Sequence, residues 1–537
     1  MTDQISLTFP SMLRKTAEKF GDSDALSFVG EKPMSYHEVL DKINSVTVHL
    51  ESLGIKSGDR VALLSANMPN WGIAYFAITF MGAIVVPMLP DFISKEIENI
   101  LIHSGSKAIF VSANLLPKLD NVKADSLEHK IPIEDLSAFN KKGDSKSYEV
   151  KENDLAAIIY TSGTTGSSKG VMLSHKNICS NVVACSLLHK VDENDKFLSI
   201  LPLSHTLENT VGFMLPIMMG ACIYYIQKPP SPTILMAALK EIRPTIMLTV
   251  PMVIEKIYYQ RIRPSLSGSG LMRGLMKIPA MRRTFHKIAG KKLMETFGGN
   301  IEFFGIGGAK LNSTVEQFLI EAKFPYAIGY GLTETAPLLA GAVPGKTLLG
   351  STGLAADGVE LKINDPDPET GEGEIWARGP NVMLGYYKEP EITAEVLTED
   401  GWFRTGDLGT FDEDQNLFIK GRLKNMILGS SGENIYPEEI EFVINNFKHV
   451  VESLVLEKKG KLVAMVHINM EEIEQSYQHL KEEISNFMDE KTKEILKEVK
   501  SYVNARVNKF SQIHSVVLQS SPFQKTATQK IKRFLYY

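Results

Sequence analysis

The segment Tyr160-Thr-Ser-Gly-Thr-Thr-Gly-Ser-Ser-Lys-Gly170 gathers hydroxyls, glycines and one lysine between the apolar runs Leu155-Ala-Ala-Ile-Ile159 and Val171-Met-Leu173. Such a composition suits a polyphosphate. Glycine lets the backbone approach anionic oxygens closely, while free N–H groups, the hydroxyls of Thr161, Ser162, Thr164 and Thr165, and the Lys169 ammonium supply donors. Gly163 and Gly166 provide the close approach. The plain alternative is an ordinary Ser/Thr/Gly turn. A Walker A loop does not fit, because two serines separate Gly166 from Lys169. Gly345-Lys-Thr347 imitates the end of one, but the earlier glycine it needs falls on Ala340.

Three further groups of residues could act on a bound nucleotide. Glu334, in Gly329-Tyr-Gly-Leu-Thr-Glu-Thr335, is a carboxylate among hydroxyls, a setting suited to Mg²⁺, which favours oxygen ligands. Asp407 lies in Thr-Gly-Asp-Leu-Gly, where its plain reading is a turn aspartate. Lys530 stands among Lys525, Lys532 and Arg533, which read by composition alone as a basic tail. His205 and Glu208, in Pro202-Leu-Ser-His-Thr-Leu-Glu208, have the look of a metal pair but lack a third ligand.

Alternating elements must position these groups. Ser35 and Glu38 form a capping box ahead of Val39, Ile43, Val46, Leu50 and Leu53 at helical spacing, and Gly54 stops that helix. Arg60-Val-Ala-Leu-Leu64, Lys107-Ala-Ile-Phe-Val111 and Thr245-Ile-Met-Leu-Thr-Val250 read as strands, and residues 235–242 as a helix. Helices alternating with short apolar strands imply α/β layers with largely parallel sheets. Residues 350–419 change to short strands with frequent Gly and Pro, a β-rich subdomain. Beyond Gly421-Arg422 the chain becomes highly charged, and residues 471–507 read as an amphipathic helix pair in a small α+β domain. The expected organisation is therefore a large domain over residues 1–421 and a small one over 422–537.

Composition narrows the class. The 537 residues are 44% hydrophobic and 23% charged, with a net charge of −5, which gives no support to a nucleic-acid binder. Three cysteines, Cys179, Cys185 and Cys222, form no CxxC pair and fit a reducing, cytoplasmic setting. No signal peptide is evident, and the uncharged residues 71–90 are interrupted by Gly82 and Pro87. A buried helix running into a buried strand is expected there rather than a membrane span, and the same holds for residues 210–226.

Taken together and in order, these segments resemble the adenylate-forming superfamily of acyl-CoA synthetases, peptide-synthetase adenylation domains and luciferases. The loop at 160–170 matches its signature, Gly329 to Thr335 its second core motif and Gly401-Trp-Phe-Arg-Thr-Gly-Asp407 its third. Gly421-Arg-Leu-Lys-Asn425 resembles the hinge and Lys525-Thr-Ala-Thr-Gln-Lys-Ile-Lys-Arg533 the terminal lysine motif, with Gln529 in place of the usual glycine. The resemblance implies ATP, Mg²⁺ and CoA as the small molecules used. It places Glu334 on Mg²⁺ and Tyr330, Gly331 and Thr333 on the nucleotide, with Gly307, Gly308 and Ala309 beside the adenine. Asp407 and Arg422 fall on the ribose, and Lys530 is the catalytic lysine that joins the carboxylate to the α-phosphate. It further implies that the small domain is mobile and turns about Lys424, and that Gly432 lines the path of the thiol.

The segment around His205 resembles long-chain acyl-CoA synthetases, in which the histidine borders the acyl site. The expected reaction is thioester formation from a medium- to long-chain fatty acid, ATP and CoA. Transfer to an acyl carrier protein, a luciferase-like oxygenase and a non-catalytic binding scaffold are the competing readings. Residues 271–292 carry seven Lys or Arg and no acid, interleaved with apolar residues. They read as a solvated helical insert or as a contact with anionic lipid at the inner face of the membrane, tested by neutralising Arg282, Arg283 and Lys287.

Overall fold

A computed structural model describes residues 6–135, 138–141, 143–161, 168–228, 231–267, 270–428, 433–470, 484–526 and 530–537. Two large sheets carry most of the chain. A seven-stranded sheet includes the parallel strands Arg60–Leu64, Ile84–Met88, Ala108–Val111 and His129–Pro132, with Leu155–Thr161 and Lys169–Ser174 added on one side. A nine-stranded sheet has at its centre Cys222–Tyr225, Lys196–Ser199, Ile246–Thr249, Phe303–Ile306 and Tyr326–Gly331, all paired in parallel. Strands such as Ile84–Met88 and Ile246–Thr249 are buried on both faces, which is why they read as continuous apolar runs. The mixed α/β architecture expected from the alternation is present.

Helices cover these sheets as the patterning requires. Tyr36–Ser52 starts from Ser35, whose side chain accepts from the Glu38 N–H while Glu38 reaches back to the Ser35 N–H. Pro69–Phe80 is buried almost all round; Trp71 stacks on Tyr75 at 5.1 Å and meets Phe213 edge-on at 5.8 Å. The uncharged run at 71–90 is therefore this core helix followed by the strand Ile84–Met88. Among the described residues no helix is long and apolar enough to cross a membrane. Residues 208–225 form a π-helix, Glu208–Met214, the helix Leu215–Met219 and the strand Cys222–Tyr225.

The β-rich expectation for 350–419 is met by a four-stranded antiparallel sheet of Glu360–Asn364, Gly373–Arg378, Phe403–Phe411 and Leu417–Arg422. Gly421 and Arg422 end the last of these strands. Beyond it, Val450–Lys458 and Lys461–Ile468 form a hairpin, with Ser515–Leu518 added in parallel. Helices Pro437–Asn445 and Ile484–Asn504 pack on this sheet through Ile440, Ile444, Ile495 and Val499, all buried against Val455 and Ala464. Of the helix pair expected over 471–507, Ile484–Asn504 is described, and residues 471–483 lie outside the described residues.

Candidate active site

A cleft of about 2430 Å³ is lined by the nine-stranded sheet, the four-stranded sheet and the segment after Arg422 together. The residues singled out in the sequence reach it from different elements. Leu155–Thr161 and Lys169–Ser174 are antiparallel, and their register sets Thr161 opposite Lys169 at the end of the pair next to the connecting residues 162–168. Ser162, Gly163, Thr164, Thr165 and Gly166 lie outside the described residues. Gly170 is sterically required, since a Cβ there would sit 2.9 Å from Ile158 and 3.2 Å from the Tyr160 ring.

The Lys169 ammonium lies over the Tyr386 ring, 4.9 Å from its centroid, and the Tyr386 hydroxyl donates to Glu334 Oε1 at 2.9 Å. Glu334 sits in the short turn Thr333–Thr335, just after the strand Tyr326–Gly331 that carries Tyr330 and Gly331. Only glycine fits at 331, where a Cβ would come within 1.9 Å of the Pro337 carbonyl oxygen. Among the described residues no cluster of three or more His, Cys, Asp or Glu could enclose a metal ion. A single half-buried carboxylate joined through Tyr386 to Lys169 nevertheless fits Mg²⁺, which is commonly held by one or two carboxylates and by substrate phosphates.

Asp407 and Arg422 are cross-strand partners in the four-stranded sheet. Arg422 Nε lies 2.7 Å from Asp407 Oδ1, and the Tyr330 hydroxyl donates to Asp407 Oδ2 at 2.7 Å. Burial pushes the Asp407 pKa up, and the Arg422 charge and the Tyr330 hydroxyl pull it back. Gly307, Gly308 and Ala309 follow the strand Phe303–Ile306 and line the same cleft. A Cβ at Gly307 would meet Leu207 at 2.9 Å, and Gly308 has φ +85°, so this turn depends on glycine. Lys424 is exposed in the turn Leu423–Asn425, and Gly432 lies outside the described residues.

Lys530 enters from the C-terminal end and lines the cleft with Glu334, Asp407 and His205. Its residue surface is largely accessible, yet its ammonium is surrounded closely enough by protein for desolvation to lower its pKa. Arg422 lowers it further, while Asp407 and Glu334 oppose both. His205 accepts from the Leu207 N–H through Nδ1 at 3.3 Å, leaving Nε2 to carry the ring proton. Burial, and secondarily the Lys530 charge, push the His205 pKa down to about 4, so the ring is neutral at physiological pH.

Glu208 does not join His205 in a metal pair. It is buried and accepts from Ser199 Oγ at 2.6 Å, and burial pushes its pKa up to about 8. Gly212, one π-turn later, leaves room for the carboxyl, because a Cβ there would approach it to 2.6 Å.

Two residues alter the sequence picture. Tyr386, which links Lys169 to Glu334, was not singled out; its strand Gly385–Tyr386 pairs with Lys169–Ser174 from far along the chain. Arg282, expected as part of a free basic face, instead makes a forked pair with Glu321 at 3.0 and 2.6 Å. Arg283, Lys287, Lys291 and Lys292 remain exposed on the same helix, Pro279–Thr296, together with Ile288.

The family described as "AMP-binding enzyme" matches residues 13–387. Long chain acyl-CoA synthetase 1 of Arabidopsis thaliana is 30% identical, over 97% of this chain and 89% of its own length. A chloroplastic long-chain-fatty-acid–[acyl-carrier-protein] ligase of the same plant is 28% identical, over 98% of this chain and 84% of its own. The fold is that of O-succinylbenzoate CoA synthetase from Bacillus subtilis, with a TM-score of 0.78 at 21% identity, covering 98% of both chains. The chain belongs to the family of AMP-binding enzymes.

Proposed function

We propose that the protein activates a medium- to long-chain fatty acid with ATP and passes the acyl group to the thiol of CoA, releasing AMP and pyrophosphate. In the first step a carboxylate oxygen attacks the α-phosphorus, the bond to the β-phosphate oxygen breaks, and pyrophosphate leaves. In the second the thiol sulfur attacks the acyl carbon and AMP departs. The observation that carries this reading is the convergence of Lys169, Glu334, Asp407 and Lys530 on one cleft. A scaffold that only bound nucleotide would not need all four.

The assigned roles follow from charge and position. Lys169 and the loop before it would hold the β- and γ-phosphates, and the Asp407–Arg422–Tyr330 group would meet the ribose hydroxyls. Mg²⁺ held by Glu334 would supply charge neutralisation at the phosphates. Lys530 would stabilise charge developing at the α-phosphate, where a fixed cation lowers the barrier most. The neutral His205 lines the same cleft as the apolar Val211, Leu215 and Leu248, against which a hydrocarbon chain would be favourably buried. Between the two steps the segment beyond Lys424 would turn to withdraw Lys530 and admit the thiol, a hinge motion in which a few residues absorb the change.

Pyrophosphate release across acids of graded length, with CoA or a holo-carrier protein as acceptor, tests this reading. Release that needs no carboxylate would reject it. The similarity to the acyl-carrier-protein ligase supports the carrier protein as the second candidate acceptor. We place the reaction in the cytoplasm, with the exposed Arg283, Lys287, Lys291 and Lys292 resting on anionic lipid at the inner face of the membrane. Sedimentation with phosphatidylserine vesicles should show salt-sensitive binding that is lost when Arg283, Lys287 and Lys291 are neutralised. Arg282 is left intact because Glu321 holds it. Unchanged binding would remove the lipid contact.

A further inference from the structure

Lys530 sits on a short hairpin rather than a loose tail. Lys525 and Ile531 pair as an antiparallel bridge, the Thr526 N–H donates to the Lys530 carbonyl at 2.8 Å, and the Lys530 N–H donates to Thr526 Oγ1 at 3.2 Å. Below the bridge the Lys532 N–H donates to the Gln524 carbonyl at 2.8 Å. Phe523 is buried against Leu454 and Leu456, and its ring meets Tyr536 edge-on at 5.1 Å.

Two buried acids fix the two arms of this hairpin. Glu452, on the strand Val450–Lys458, uses one carboxylate oxygen for the Phe523 N–H at 2.8 Å and the other for the Lys525 ammonium at 2.5 Å. Glu441, on the helix Pro437–Asn445, accepts from the Val455 N–H at 2.6 Å through one oxygen and from Arg533 through the other. Arg533 also donates to the Val455 carbonyl at 3.3 Å. Val455 thus ties the Arg533 arm to the strand that carries Glu452. The carboxyl side chains of Glu441 and Glu452 are 12% and 9% exposed, and the Arg533 side chain is 14% exposed, so neither grip is a loose surface pair.

We propose that Glu441 and Glu452 are positioning residues that clamp the hairpin to the C-terminal sheet and so set where the Lys530 ammonium stands in the cleft. All four clamp residues come from beyond Arg422, so the lysine is carried with that unit. A cation that must meet charge developing on one phosphorus loses its effect when displaced by about an ångström, at a cost of up to ~100-fold in rate. The clamp therefore bears on the step that uses Lys530 and not on the thiol step, which on the reading above proceeds with Lys530 withdrawn.

The inference rests on that reading, and measuring the two steps separately tests it. Acid-dependent ATP–pyrophosphate exchange reports the first step; conversion of a chemically prepared acyl-adenylate and CoA to the thioester reports the second. For Glu441→Gln, Glu452→Gln and Lys525→Met, exchange should fall roughly 10- to 100-fold through kcat, with thioester formation within about twofold of the parent. Unchanged exchange in all three variants would overturn the clamp, as would parallel loss of both steps, which would mark a general folding defect. If the parent protein itself shows no acid-dependent exchange, the failure lies with the proposed reaction instead.

Discussion

Asp407 and Arg422 stand opposite each other on adjacent strands, and the guanidinium Nε meets the carboxylate at 2.7 Å inside the cleft. The register of the sheet, not a flexible loop, fixes the pair. With Tyr330 donating to its other oxygen, Asp407 is oriented before any ligand arrives. Such preorganisation lowers the ordering cost of binding.

Asp407→Asn removes the charge that orients both partners and that, on the proposed reading, would accept ribose hydroxyls. Hydrogen bonds to charged groups contribute about 1.5–3 kcal/mol, so the KM for ATP should rise roughly 10- to 100-fold. The KM for the acid should change little. Steady-state pyrophosphate release with ATP and acid varied separately checks this, and an unchanged KM for ATP would remove Asp407 from the nucleotide site.

Glu334→Gln keeps the shape of the side chain and the contact with Tyr386 but removes the charge offered to a cation. The Mg²⁺ concentration giving half-maximal activity should rise at least tenfold. Tyr386→Phe, which only frees one carboxylate oxygen, should shift it by less than Glu334→Gln does. A Mg²⁺ titration of the parent and both variants decides the order; equal midpoints would displace Glu334 from that role.

Stability should depend on pH through Glu208 and His205 in opposite senses. The folded Glu208 pKa, about 8, lies above its ordinary 4.5, so the folded state holds the proton more tightly and stability falls as pH rises from 4.5 to 8. The folded His205 pKa, about 4, lies below its ordinary 6.5, so stability rises between pH 4 and 6.5. From pH 4.5 to 6.5 these two slopes oppose each other; Glu441, pushed up to about 7 by burial, adds to the decline until about pH 7, and from there to 8 the Glu208 slope remains. Glu208→Gln should flatten the decline in Tm between pH 6.5 and 8. A decline of the same steepness in that variant would locate it elsewhere.

Much of the fold was legible because local chemistry settled it. The capping box at Ser35 and Glu38 marked a helix start, and Gly82 broke the uncharged run where the helix gives way to a strand, while Pro87 falls within that strand. Thr161, Glu334, Asp407 and Lys530 were legible as motif positions, and they do line one cleft. What remained hidden depends on contacts between distant segments. Tyr386 reaches Glu334 only because Gly385–Tyr386 adds to the edge of the strand bearing Lys169. Arg282 looked free because its partner, Glu321, lies on another helix, Ser313–Ala322. In the sequence the pair of His205 and Glu208 already lacks a third ligand for a metal; that Glu208 bonds to Ser199 beneath Gly212 was not visible there.

On the proposed reading, Lys530 acts on the first step of a two-step acid activation. Acid-dependent ATP–pyrophosphate exchange in the parent and in Lys530→Ala tests it most directly, with a long-chain acid as substrate. Loss of a fixed cation at the α-phosphate should lower exchange by at least ~100-fold while the variant still turns a prepared acyl-adenylate and CoA into thioester. Exchange at the parent rate in Lys530→Ala would remove Lys530 from the first step.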